Sequence, residues 1–323
     1  MTIVGESIAR VEDRGLLTGA GRFTADTWPS TAAHAVFVRS PHAHAQIVSI
    51  DVAAARAAPG VLAVLTSTDA KASQLGPLRC PVTLPGHTIV DPLRPVLADG
   101  RVRFVGEAMV CVVAQSHAQA IDAAELVEIA YQSLSSVTGT GLAVGGEQLW
   151  PQAQQNVCCD WSTGDAAATE KAFAAAAHVV SLDIVNNRVA VSPIETRCAW
   201  GAYDPVTQQY SLHLPTQGVF FVRDCLAKDV FNIPPEQIEV ITGDVGGAFG
   251  MKISPYPEYA CVLWAAEVTG RPVVWISERN EAFLSDTHAR DHVTRASLAL
   301  DASGRFLALR HDVIANLGAF PSS

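Results

Sequence analysis

Short apolar runs, some alternating and some continuous, recur along the whole chain and predict strands interleaved with helices. Residues 34–39 (HAVFVR) and 46–52 (QIVSIDV) read as strands, separated by the turn Ser40-Pro41-His42. Residues 51–58 are alanine-rich and predict a helix, closed by Pro59-Gly60 ahead of the apolar strand VLAVLT. Residues 101–114 (RVRFVGEAMVCVVA) predict a second pair of strands with Gly106 at the joint. Residues 117–131 predict one helix, with Ile121, Ala124 and Val127 on one face and Asp122, Glu125 and Glu128 opposite. Together these elements form an α+β unit that closes near residue 133.

A stretch of weak pattern follows over residues 134–164, with Gly139, Gly141, Gly145, Gly146 and Pro151. It reads as a linker between two domains. The second unit, 165–323, opens with a helix at 168–177 and the strand HVVSLDIV. Next come the strand QYSLHL, a helix at 220–231, the strand QIEVIT and a helix at 258–268. That last helix carries Ala260, Val262, Leu263, Ala265 and Ala266 around most of its circumference, so it belongs in a core. RPVVWIS predicts another strand, and TRASLALDASGRFLALRHDVIANLGAF a hairpin turning at Asp301-Ala302-Ser303-Gly304. Residues 316–323 (NLGAFPSS) follow directly on that strand. Two readings stand there: a plain edge strand, or a sheet that another polypeptide completes.

Composition limits the setting. A length of 323 residues leaves room for two domains, each with its own core. Hydrophobic residues at 49% against 17% charged describe packed structure instead of disorder. A formal charge of −10, with no basic cluster against it, argues against a nucleic-acid partner. No apolar run approaches a membrane span, and the start MTIVGESIARVEDRGLL lacks a basic stretch and apolar signal core. The expected location is the cytoplasm. Seven cysteines, an odd number scattered through apolar segments, suit a reducing compartment. None forms C-x-x-C or zinc spacing, and neighbours Cys158 and Cys159 are poorly placed for a mutual disulfide. The chain is not expected to carry its own iron–sulfur cluster. His288 and His292 in THARDH are four apart but lack the glutamate of a zinc protease helix, which favours a solvated or interface role.

Residues 238–252, IEVITGDVGGAFGMK, carry the strongest chemical signal. A β-branched strand enters a turn in which Gly246, Gly247 and Gly250 remove side chains, and Lys252 follows. Backbone N–H groups can approach a ligand closely in such a turn. The P-loop pattern fails because Met251, Lys252 and Ile253 follow Gly250. The dinucleotide fingerprint fails because Val245 stands where its second glycine belongs. A tight turn without a ligand and a backbone cradle for an anion or cofactor both remain. Phe249, where a purely mechanical loop would carry a polar residue, favours the cradle.

Several segments together resemble one family. GESIARVEDRGLLTGAGRFTAD, VRFVGEAMVCVVAQSHAQAIDAAELVEIAY, SPIETRCAWGAYDP, LHLPTQGVFFVRDCLA, DVGGAFGMK and RPVVWISERNEAFLSDTHARDH are similar, in this order, to the large subunit of molybdenum hydroxylases. These are the xanthine oxidase and aerobic carbon monoxide dehydrogenase relatives. The resemblance implies an α+β fold: an N-terminal hammerhead α/β domain over 1–133, then the first half of the molybdenum cofactor domain. It places Gln217 and Phe249 at the catalytic centre, Gln217 bonded to an oxo ligand and Phe249 walling the substrate channel. It places Gln217, Gly218, Gly247, Ala248, Phe249 and Gly250 against the cofactor. No protein side chain binds the metal, which is held through molybdopterin, expected in its cytosine dinucleotide form. The alternatives at these positions are a helix-capping amide for Gln217 and plain core packing for Phe249.

The departures from the family matter too. Ile253 stands where purine-oxidising members carry a substrate-contacting glutamate, and Ala248 replaces a glycine. Purines therefore become poor candidates. A pyridine-type N-heteroaromatic is preferred, with aldehyde or carbon monoxide oxidation, or a non-catalytic assembly paralogue, as alternatives. Glu195 reads as an ion-paired or helix-facing carboxylate, not as the base. The family's catalytic glutamate and most pterin contacts lie beyond this length, as in relatives such as nicotinate dehydrogenase that divide the subunit. The implied partners are a C-terminal-half molybdopterin subunit, a small subunit with 2Fe–2S clusters and often a flavin subunit with FAD. The implied reaction hydroxylates an electron-poor C–H carbon with oxygen drawn from water.

Overall fold

The computed structural model describes residues 4–321. The strands are β1 (Ala33–Arg39), β2 (Ala45–Asp51), β3 (Val61–Leu65), β4 (Arg101–Val102), β5 (Ala108–Ala114) and β6 (Glu128–Ser133). Further along come β7 (His178–Asn186), β8 (Cys198–Asp204), β9 (Gln209–His213), β10 (Ile238–Ile241), β11 (Val273–Ile276), β12 (His292–Leu300) and β13 (Phe306–Ala315).

One seven-stranded sheet, ordered β10-β9-β8-β11-β1-β5-β3, runs through both halves of the chain. The join is a parallel pairing of β1 with β11, Ala33 opposite Val273 and His34 opposite Val274. β5 explains the continuous apolar run AMVCVVA. Its Ala108, Cys111 and Val113 enter one core, while Met109, Val110 and Val112 enter another. A strand buried on both faces has no polar side to show. The larger core lies under helix Pro257–Thr269, which buries Tyr259, Leu263 and Trp264 against the sheet. The smaller core is closed by the three-stranded sheet β4-β2-β6.

Buried charge fastens the two halves where β1 ends. Arg39 donates to Glu258 at 2.7 Å, to Glu281 at 2.7 Å and to the Gly106 carbonyl at 2.9 Å. Arg197 donates to the other oxygen of Glu258 at 2.9 Å and also pairs with Asp286. Its guanidinium lies 3.7 Å from the centre of the Tyr256 ring.

Two sequence expectations change. The helix expected over 117–131 stops at Ala124, and β6 takes over from Glu128. β6 pairs antiparallel with β2, Tyr131 opposite Ile47, and that pairing overrides the helical spacing of Val127. The two strands expected in 101–114 exist but do not pair. At Gly106 (φ +100°) the chain crosses from β4, which pairs with β2, to β5, which pairs with β1 and β3. Between Ser133 and Gly164 the described structure has only a short helix, Thr140–Ala143, and one 3-10 turn, Gln154–Asn156.

Candidate functional site

After β10 the chain crosses Gly243–Gly250 before helix Pro257–Thr269 begins. Gly247 and Gly250 take φ values of +99° and +89°, a region that L side chains enter only with strain. Gly246 is required for a different reason. A Cβ there would stand 2.5 Å from the Glu195 Cβ. This close approach lets the two residues exchange bonds: Glu195 N–H donates to the Gly246 carbonyl at 3.1 Å, and Gly246 N–H to Glu195 Oε2 at 2.9 Å.

Lys252 is the node beneath the loop. It is 1% exposed, and its Nζ donates to Glu195 Oε2 at 2.8 Å and to the Glu195 carbonyl at 2.9 Å. Its own carbonyl accepts from Gln217 N–H at 3.1 Å and from Thr216 Oγ1 at 3.0 Å. One residue thereby ties together the segments Pro193–Glu195, Pro215–Gln217 and the glycine loop. A lone lysine inside an apolar, glycine-rich stretch signals a buried partner in principle, because an unpaired buried ammonium is too costly. From the sequence Glu195 reads as an ion-paired or helix-facing carboxylate; the structure shows the ion pair, and neither its partnership with Lys252 nor the bond from Thr216 is indicated by any local pattern.

The Gln217 side chain closes this arrangement from above. Its Oε1 accepts from Gly250 N–H at 3.0 Å, which leaves the Nε2 donors without a protein acceptor among the described residues. Gln217 does not cap the following helix, Val219–Cys225, whose N-cap is Gly218 without any side-chain bond. The N–H groups of Gly247, Ala248 and Phe249 likewise donate to no protein acceptor among the described residues. Phe249 is 78% exposed and left-handed (φ +51°), so it is not a core residue. A non-glycine residue in that region costs roughly 1–3 kcal/mol, which packing does not return here. Ile253, two turns of backbone later, is 41% exposed. Glu195 Oε1 is buried and has no hydrogen-bond partner among the described residues.

Gln217, Gly218, Gly247, Ala248, Phe249 and Gly250 thus come together around one clamp. The loop is an open surface. A concavity of about 450 Å³ lies instead along helix Val219–Cys225 and β10, lined by Val219, Phe220, Arg223 and Val240. His288 is exposed, with Nε2 3.3 Å from the Phe283 carbonyl. Among the described residues no three His, Cys, Asp or Glu side chains gather to hold a metal ion. No helix among them is long and apolar enough to cross a membrane.

Residues 149–323 match the family model of the molybdopterin cofactor-binding domain, and residues 18–135 match the aldehyde oxidase and xanthine dehydrogenase a/b hammerhead domain. The chain belongs to the molybdenum hydroxylase family. Its α+β fold is that of a hammerhead domain followed by part of the molybdenum cofactor domain. It is 35% identical to the nicotine 6-hydroxylase large subunit of Paenarthrobacter nicotinovorans, over 98% of this chain and 38% of that protein. It is 32% identical to the carbon monoxide dehydrogenase large chain of Hydrogenophaga pseudoflava, over 96% of this chain and 39% of that one. Quinoline 2-oxidoreductase from Pseudomonas putida 86 superposes with a TM-score of 0.86 at 40% identity, covering 96% of this chain and 39% of its own. The chain therefore spans about two fifths of the length of these relatives.

The residues present fit a molybdenum hydroxylase cofactor. Three successive backbone donors without protein acceptors, beside an amide whose NH₂ is also free, suit a group rich in acceptor atoms.

Proposed function

We propose that this chain forms one wall of a molybdenum–pterin centre in an oxidoreductase that hydroxylates an electron-poor C–H carbon with water-derived oxygen. The observation that carries this reading is the Gly250–Gln217 bond, which fixes the amide and leaves its Nε2 free beside the loop donors. The bound cofactor supplies two-electron redox chemistry. With the cofactor bound, Gln217 Nε2 would donate to one of its acceptor oxygens, and it would do so without titrating. The N–H groups of Gly247 and Ala248 hold the cofactor in place. Phe249 excludes water and forms a wall of the substrate channel. Lys252 and Glu195 keep these groups in register from below.

The preferred substrate is a pyridine-type N-heteroaromatic. Ile253 offers an apolar contact near the loop, and the nicotine and quinoline relatives are named for ring substrates of this kind. Aldehyde or carbon monoxide oxidation is the alternative, favoured by the likeness to carbon monoxide dehydrogenase large chains. A companion chain supplies the base and most contacts to the pterin, read as the cytosine dinucleotide. Other subunits carry 2Fe–2S clusters and FAD, and the assembly works in the cytoplasm. Metal analysis separates this reading from a non-catalytic paralogue. In the purified assembly, Gln217→Ala lowers turnover by about 10²–10³-fold at unchanged molybdenum content and composition. Undiminished turnover in a metal-replete variant overturns the role given to Gln217.

A further inference from the structure

The third sheet, ordered β13-β12-β7, stands apart from both cores, neither of which contains any of its residues. Its two faces differ in kind. Leu298 lies opposite Val180 and Leu309, Ala296 opposite Leu182 and His311, and Thr294 opposite Ile184 and Val313. With a period of two, Val180, Leu182, Ile184, Leu298, Leu309 and Val313 therefore share one face. The other face mixes Ser181, Asp183, Arg295 and Arg310 with Val179, Val185, Val293 and Ile314. Helix Ala166–Ala175 lies against part of this face, at β13. Arg310 pairs with Glu170 and lies 4.6 Å from the Phe173 ring, both on helix Ala166–Ala175, and Ala299 beside it is fully buried.

The aliphatic side chains of this face on β7 and β13 are open to solvent among the described residues. Val180, Leu182 and Leu309 are 59%, 61% and 60% exposed. A contiguous exposed aliphatic surface of this kind marks an interface.

The relatives indicate what covers it. The chain superposes on them almost completely, yet about three fifths of their length has no counterpart here. We propose that the apolar face of β7, β12 and β13 docks a companion polypeptide corresponding to that missing part, through an aliphatic surface of its own. A second copy of this chain would cover the face but leave the missing three fifths unplaced. The proposal rests on the reading that a companion chain completes the metal centre, and it assigns the surface by which that companion is held.

The test uses the assembly purified from its own host through a tag on this chain, with companions identified by mass spectrometry. The double variant Leu182→Glu/Leu309→Glu lowers recovery of the companion at least tenfold. Val206→Glu, at a fully open turn, leaves recovery unchanged. A second readout needs no disruptive variant: in the intact assembly, a cysteine in place of Leu182 is alkylated at least tenfold more slowly than one in place of Val206. If the companion is present but the double variant retains it and the two cysteines label alike, the surface is wrong while the shared-centre reading stands. If no such companion is found and the variant instead splits a homodimer, the occupant is a second copy and the proposal fails. If the chain carries molybdenum with no companion at all, the shared-centre reading falls, and the proposed occupant with it.

Discussion

Helix Pro257–Thr269 buries ten of its residues, whereas all nine residues of β7 are exposed. Both segments are rich in aliphatic side chains, so composition does not separate them. What separates them is whether the chain supplies a partner for each face. The helix has the seven-stranded sheet against it and a buried ion cluster at its first turn. In the sheet of β7, helix Ala166–Ala175 lies against β13. The chain covers one region and leaves the other exposed, and in the glycine loop, where Phe249 is exposed, the N–H groups of residues 247–249 find no protein acceptor among the described residues.

The sharpest way to break the covered region is at its charges. Burial alone would raise the Glu258 pKa, but Arg197 and Arg39 hold it well below the usual carboxylate range. Glu258→Ala leaves both guanidiniums without this carboxylate and costs about 3–5 kcal/mol in urea unfolding. Leu263→Ala comes next, at about 2–5 kcal/mol, because Leu263 is fully buried and its Cδ2 fills the space a Cβ on Gly201 would need. The seam between the halves responds to pH. Burial pushes Glu107 up to about 7, above an ordinary value of 4.5. The folded state therefore holds that proton more tightly than the unfolded state, and stability falls as pH rises from 4.5 to 7. Glu107→Gln removes the fall, adding roughly 1–3 kcal/mol near pH 8 and almost nothing below the ordinary carboxylate range. The smallest effect is expected on the sheet. Leu182→Ala changes the stability of the chain freed of companions by no more than about 0.5 kcal/mol, against the several lost for the same exchange at Leu263. Equal losses at the two leucines would erase the contrast.

Much of this was legible in the residues. Apolar residues around most of the circumference of 258–268 marked a buried helix, and Asp301–Gly304 marked the β12–β13 hairpin, because both signals are local. The helix that ran on to Tyr131 failed because β2, eighty residues earlier in the chain, claims that segment. The parallel join of β1 to β11 was invisible for the same reason: nothing near Ala33 records Val273. In the site, resemblance brought Gln217 and the glycine loop together, and Gly250 N–H does lie on Gln217 Oε1. The clamp that holds them depends on the Lys252–Glu195 pair, 57 residues apart in sequence, which no local pattern discloses.

The most direct measurement is an experimental structure of the purified native assembly with its cofactor bound. The account predicts the pterin and its metal against Gln217 and the backbone of residues 247–250, with a second polypeptide closing the opposite side. A cofactor bound elsewhere, with Gln217 and the glycine loop facing bulk solvent or another protein core, would contradict it.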